Sequence, residues 1–146
     1  MNALEKCLDM LVAVAIMFLI PLLFYGESSR MLHSMSVGTA CEVFLKRVST
    51  AGEITMPVWK ELEDALQRFG CERFCMWREY TLWEPGEKTG SVIAQCYREE
   101  NSILLEQMRE EGRVSLHKGD TLQLIIYMDD MPTMYYDIVR SEGKAE

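Results

Sequence analysis

Apolar residues change their period several times along this chain, and each change marks an element. Met10 to Gly26 (MLVAVAIMFLIPLLFYG) is a run of seventeen positions without a charge. At about 1.5 Å rise per residue it makes a helix of roughly 25 Å, enough for a hydrocarbon core of about 30 Å once flanking side chains snorkel. From Glu27 to Ser49, Met31, Leu32, Met35, Cys41, Phe44, Leu45 and Val48 recur at helical spacing, so the helix is expected to continue as an amphipathic stem. Pro21 predicts a kink inside the span, and Gly38 a bend or brief break in the stem. Ala51-Gly52 marks its end.

Next comes a well-punctuated helix. Thr55 stands at the cap, Pro57 in the first turn, Trp59, Leu62, Leu66 and Phe69 on one face, and Gly70 at the close. The period then shortens to two. Cys71 to Trp83 reads as a strand with Phe74, Met76, Tyr80 and Leu82 on one side, and Ser91 to Arg98 as its hairpin partner across the Glu84–Gly90 loop. Asn101 or Ser102 caps a short helix through Ile103, Leu104 and Met108 to Gly112. A second hairpin is expected from Arg113–Leu116 and Thr121–Met128 around the turn 117–120, with Leu122, Leu124, Ile126 and Met128 inward. Met134, Tyr135, Tyr136, Ile138 and Val139 form a last apolar cluster before a charged tail.

The expected fold is therefore α+β. A short tail (1–9) leads into a transmembrane helix (10–26) and a helical stem (27–51). A small head with antiparallel hairpins and two helices (52–140) and a loose end (141–146) complete it. A cleavable signal peptide fits the first segment poorly, because Glu5, Lys6 and Asp9 precede it and bulky Leu22, Leu23, Phe24 and Tyr25 end it. Gly38-Thr39-Ala40-Cys41 lacks the aliphatic residue of a lipoprotein site, and a buried core helix would need an apolar partner surface larger than the remaining chain can spare.

Charge and cysteines refine this picture. A formal charge of −8 and a pI near 4.8 exclude a nucleic-acid partner, whose phosphates need Lys and Arg patches. Lys6 before the span and Arg30, Lys46 and Arg47 after it leave the positive-inside rule undecided. Cys7 stands alone before the span, while Cys41, Cys71, Cys75 and Cys96 follow it. That division favours a cytoplasmic amino end and an extracytoplasmic head.

Candidate chemistry is sparse. Cys71, Cys75, Cys96 and His117 offer zinc-type ligands, but two residues four apart on one strand lie about 13 Å from each other, too far to share an ion. A tight Pro85-Gly86 turn would set Cys75 opposite Cys96 as a disulfide candidate. A longer loop would shift that register, and buried free thiols are the alternative. His33 and His117 read as surface residues. The acid pairs Glu99-Glu100, Glu110-Glu111 and Asp129-Asp130 read as solvated charge, because adjacent side chains diverge. Gly86–Gly90 lacks a phosphate-binding context, so neither an enzyme nor a cofactor is expected. Trp77, Tyr80, Trp83 and Tyr97 could line a carbohydrate or partner surface.

An amino-terminal apolar helix with an interior proline, continuing as an amphipathic stem into a small α+β head, resembles the subunits of type IV pili. It is most similar to the TadE-like minor pilins and pseudopilins of tight-adherence systems. The run Pro21-Leu22-Leu23-Phe24-Tyr25-Gly26-Glu27, then Arg30 and the stem to Val48, carry the likeness over roughly the first 70 residues. The resemblance implies a mechanical role in which stems pack side by side in membrane lipid and heads add lateral contacts. Partners would be further pilin-like or assembly-machinery subunits, including other copies of the chain. It implies assembly contacts through Leu11, Val14, Phe18, Pro21, Met31 and Met35, with Glu5, sixteen residues before Pro21, at the place of the assembly glutamate. The competing expectation is a membrane-anchored sensor or binding module.

Overall fold

The computed structural model describes residues 2–71, 73–128 and 131–143. The elements are α1 (Ala3–Ala51), β1 (Glu53–Thr55), α2 (Met56–Arg68), β2 (Arg73–Pro85), β3 (Val92–Glu100), α3 (Asn101–Glu111), β4 (Arg113–Ser115), β5 (Thr121–Met128) and β6 (Met131–Ile138). The chain is α+β, and it divides into two compact units, Met1–Ser36 and Val37–Glu146.

The first unit is the leading part of α1. Its apolar segment has a mean hydropathy of 2.6 with none of that stretch buried within the chain, so α1 is long and apolar enough to cross a membrane. The helix assignment is unbroken through Pro21 and Gly38, where a kink and a break were expected.

The second unit is built around the stem's last turns. Val37, Cys41, Phe44, Leu45 and Val48 recur every three or four residues and are buried, so the amphipathic period becomes a core face from Val37 onward. Met31, Leu32 and Met35, on the same predicted stripe, are exposed instead. Gly38 has a packing reason: a Cβ there would stand 3.1 Å from the Tyr135 hydroxyl. On α2, Trp59, Leu62 and Leu66 are buried as the spacing predicts, and the Trp59 indole meets Phe44 edge-on at 6.4 Å and Phe74 at 5.4 Å. Thr55 occupies the cap position without a side-chain cap bond, and the cap of α3 falls on Glu100 rather than on Asn101 or Ser102.

A four-stranded antiparallel sheet runs in the order β3-β2-β5-β6. Met76, Leu122, Leu124 and Ile126 fill its inner face, joined in the core by Leu104 and Met108 of α3. The expected second hairpin does not form. β4 pairs with β1 instead, matching Ile54 with Val114, while β5 lies between β2 and β6. β6 is the strand hidden in the last apolar cluster.

The first hairpin forms in a different register from the one a tight turn would set. Cys96 faces Thr81, and Cys75 faces Ile125 of β5. Six residues separate Thr81 from Cys75, about 20 Å along the strand, so the proposed Cys75–Cys96 disulfide is incompatible with this ladder. All five cysteines are free thiols. The shift arises because the loop closes between Gly86 and Ser91, whose backbone bond is 2.8 Å, rather than at Pro85-Gly86.

The end of the chain is also tied down further than expected. The Gly143 amide donates to the Leu116 carbonyl at 3.0 Å, Leu116 N–H to Gly52 O at 2.8 Å, and Arg140 N–H to Ser49 O at 2.9 Å. Residues 141–143 thus strap the end of α1 to β4. Asp129-Asp130 and residues 144–146 lie outside the described residues.

Candidate functional site

Two features stand out: the apolar surface of the first unit and a buried ionic cluster in the second. On α1, Leu11, Val14 and Phe18 are 68%, 46% and 70% exposed. At about 100° per residue these three and Pro21 share a stripe roughly 80° wide. Met31 and Met35 are exposed too, on a stripe rotated away from it, and Glu5, in the first turn, projects from the side that carries Val12 and Ile16. Helical rotation therefore groups Leu11, Val14, Phe18 and Pro21, sets Met35 and Met31 about 40° and 80° beyond Pro21 on the flank of that stripe, and leaves Glu5 on the opposite side. By length and composition this surface suits a membrane span.

The ionic cluster was not foreseen from the sequence. Arg78 occupies an inward position of β2 between Met76 and Tyr80, and it is 6% exposed. Its Nε donates to Asp120 Oδ2 at 2.9 Å, with Nη2 2.8 Å from the same oxygen, and its Nη1 reaches Glu99 Oε2 at 3.3 Å. The His117 amide also donates to Asp120 Oδ2 at 2.9 Å. His117 Nδ1 lies 3.1 Å from Arg78 Nη2, so the tautomer that accepts there protonates Nε2. Tyr80 donates to Glu99 Oε1, stacks on Tyr97 with centroids 5.4 Å apart, and lies under the Arg78 guanidinium. Burial, then the neighbouring Glu99 carboxylate, push the Tyr80 hydroxyl above its usual range.

Both carboxylates of the cluster are engaged by the one guanidinium. The cluster therefore ties β2 and β3 to the turn before β5, and the groups that would serve acid–base work are already bonded to each other. His117 belongs to this network, although its side chain is 71% exposed. Alternation on β2 was the available signal for Arg78. Nothing local pointed to Asp120, forty-two positions away.

The remaining candidates are dispersed. Cys71 is buried and donates to Arg73 O, Cys75 faces β5, Cys96 lies on β3, and among the described residues no group of His, Cys, Asp and Glu is arranged to hold a metal ion. The aromatic group is split between the two faces of the hairpin. Trp77 lies on the outer face under the Arg98 guanidinium, Tyr80 and Tyr97 stack on the other face, and Trp83 is exposed on the projecting part of β2. His33 lies on the exposed part of α1, and Glu110 and Glu111 are exposed at the end of α3.

Cys41 is fully buried. Its thiol is pushed up to about 12 by burial, then by Cys71 and Glu42, and burial also raises Cys71. A folded-state pKa above the unfolded one means that the neutral thiol stabilises the head below about pH 9 and that this contribution disappears as pH rises toward 12. Alkaline titration at constant urea should show a stability loss in that window, reduced in Cys41→Ala. With a maleimide at pH 7.5, Cys96 should label in the folded chain and Cys41 only after unfolding.

No protein-family profile, curated protein or solved structure matches this chain.

Proposed function

We propose that this chain is a single-pass membrane-anchored subunit of the minor pilin or pseudopilin type. It acts in assembly of a pilus or secretion system through stem packing and head contacts. Its role is mechanical, with the amino end cytoplasmic and the head extracytoplasmic. The observation that carries this reading is the change of character along one helix. Leu11, Val14 and Phe18 are exposed among the described residues, whereas Val37, Cys41, Phe44, Leu45 and Val48 are buried in the head core. A sole anchoring role needs apolar length, but a 49-residue helix that also forms the head's core is the arrangement of a stem. The TadE-like resemblance of the anchor and stem supports the same reading.

Exchange of residues 10–26 for an unrelated apolar span of equal length tests it. A stem subunit loses assembly with other copies while remaining membrane-bound; a binding module keeps its function, and that result would remove the proposal. Orientation has its own readout. A membrane-impermeant maleimide added to intact cells should label Cys96 and spare Cys7, and the opposite pattern would invert the topology.

The binding-module reading is favoured by one observation. Beyond Glu79, β2 pairs with β3 alone, forming a two-stranded arm on which Leu82, Trp83, Val92 and Ile93 are all exposed. Arm deletion with closure at Tyr80 and Tyr97 separates the two, because a stem subunit retains self-association without it.

A further inference from the structure

A groove of about 170 Å³ lies between α2 and the Val37–Val48 part of α1. Buried Phe44 and Leu62 form its floor, and Ala40, Val43, Val58 and Ala65 its walls. An apolar cavity of about 150 Å³ holds a benzene-sized group, so this one admits an aliphatic side chain. Its two charged residues satisfy each other, with Arg47 Nη1 2.7 Å from Glu61 Oε2. Val43 stands on the rim and is 60% exposed, next to Phe44 at 4%.

We infer that this groove receives α1 of a second copy, parallel and in register, with Val43 of each chain seated in the groove of the other. Spacing on α1 selects that partner. Ala40, Val43, Phe44 and Arg47 stand three, four and seven residues along from the first, the four-residue hole that accepts from an identical parallel helix the side chain at its own second position. That side chain is Val43. One helix thus supplies both knob and hole, as a twofold contact between copies requires. From α2, Val58, Leu62 and Ala65 enclose the seated valine, and the small Ala40 and Ala65 side chains let the incoming backbone approach.

Charge permits the same approach. The chain carries −8, yet the groove holds one closed ion pair, and its flanks add one charge of each sign on either helix, Glu42 and Lys46 on α1 and Asp64 and Arg68 on α2. The twofold axis runs along α1, so both chains keep one orientation in a membrane. This contact buries less than the roughly 1,600 Å² typical of a stable complex, and is therefore weak for dilute chains and effective between chains confined to one membrane. The inference rests on the proposed membrane anchoring for that confinement, and it names the head surface at which copies meet.

Full-length chain carrying Cys7→Ser, Cys75→Ser and Cys96→Ser is placed in liposomes, oxidised for short intervals and scored for disulfide dimer. Val43→Cys should dimerise at least about fivefold faster than Glu42→Cys, an exposed neighbour that projects about 100° away and reports collision alone. Adding Ala65→Lys or Val58→Lys fills the groove from α2 with a long side chain, and should return Val43→Cys to the Glu42→Cys rate with an unchanged circular dichroism spectrum. Ala65→Ser, which adds one atom, should keep the difference. Equal rates for Val43→Cys and Glu42→Cys, or a Val43→Cys rate that neither lysine lowers, would overturn the inference. Leu11→Cys, oxidised in parallel, reports stem packing by itself. Stem dimers without Val43 dimers remove the groove contact alone, and Val43 dimers without stem dimers remove the stem reading alone.

Discussion

Arg78→Met is expected to destabilise the head by about 3–5 kcal/mol, because it leaves the Asp120 and Glu99 carboxylates in the core without their cation. Arg78 and Asp120 are 6% and 4% exposed, so solvent cannot compensate for the loss. Urea unfolding of the full chain in micelles, followed by circular dichroism, measures the effect. The exposed pair Arg47–Glu61 is the contrast. Arg47→Met should cost no more than about 1 kcal/mol, since exposed pairs exchange protein contacts for water at little net change. Combining Arg78→Met with Asp120→Asn and Glu99→Gln should recover much of the loss, because no unpaired charge is then buried. If Arg78→Met alone fell within about 1 kcal/mol of the parent, the cluster would not be holding β2, β3 and the turn before β5 together.

The second large effect is at Gly52. Its φ is +71°, and an added Cβ would lie 2.4 Å from Ser141 O and 2.6 Å from Gly143 N, both backbone atoms that cannot rotate away. The left-handed conformation alone costs a non-glycine residue about 1–2 kcal/mol, and Gly52→Ala must also push the 141–143 strap off the end of α1. A total above about 2 kcal/mol is expected, with loss of amide-exchange protection at Gly143 and Leu116. Gly70→Ala separates the two contributions. Gly70 has φ +75° and nothing within 4 Å of the added atom, so only the conformational part should appear there. Equal effects at the two glycines would mean that the strap contributes nothing.

Local pattern carried much of this fold. The apolar span, the helical period from Met31 to Val48, the punctuation of α2 by Pro57 and Gly70, and the alternation of Leu122, Leu124 and Ile126 each arise from neighbouring residues, and each element stands where its pattern placed it, although the stem stripe is buried only from Val37 onward. What the chain does not display locally is which segments meet. β4 was legible at Arg113–Leu116 but was matched to β5, because its true partner β1 is three residues long, too short to show a period, and lies sixty positions away. β6 was obscured because Met131, Met134, Tyr136 and Ile138 are apolar yet exposed, which spoils the inside–outside alternation that identifies a strand. The hairpin register turned on loop length alone, and six residues of slip separated Cys75 from the position opposite Cys96.

The candidate sites divide along the same line. Exposure of Leu11, Val14 and Phe18 is a property of an apolar helix with no internal partner, and composition announces it. Their common stripe also follows from spacing, as does the rotation that carries Met31, Met35 and Glu5 away from it. The Arg78 cluster is different. Arg78, Glu99, His117 and Asp120 come from β2, β3 and the turn before β5, and only the sheet order brings them within bonding distance. A charged residue at an inward strand position is the one sequence signal for such a cluster. It says that a partner exists without saying where.

The central claim is that the first part of α1 packs against other copies along one stripe. Single cysteines placed at positions 11, 12, 14, 16 and 18 of the full chain, with Cys7→Ser, Cys75→Ser and Cys96→Ser to remove the accessible native thiols, are oxidised in the membrane and scored for disulfide dimer. Crosslinking should peak at Leu11→Cys, Val14→Cys and Phe18→Cys and fall at Val12→Cys and Ile16→Cys, which project from the opposite side of the helix. Uniform crosslinking at all five positions, or none at any, would contradict it.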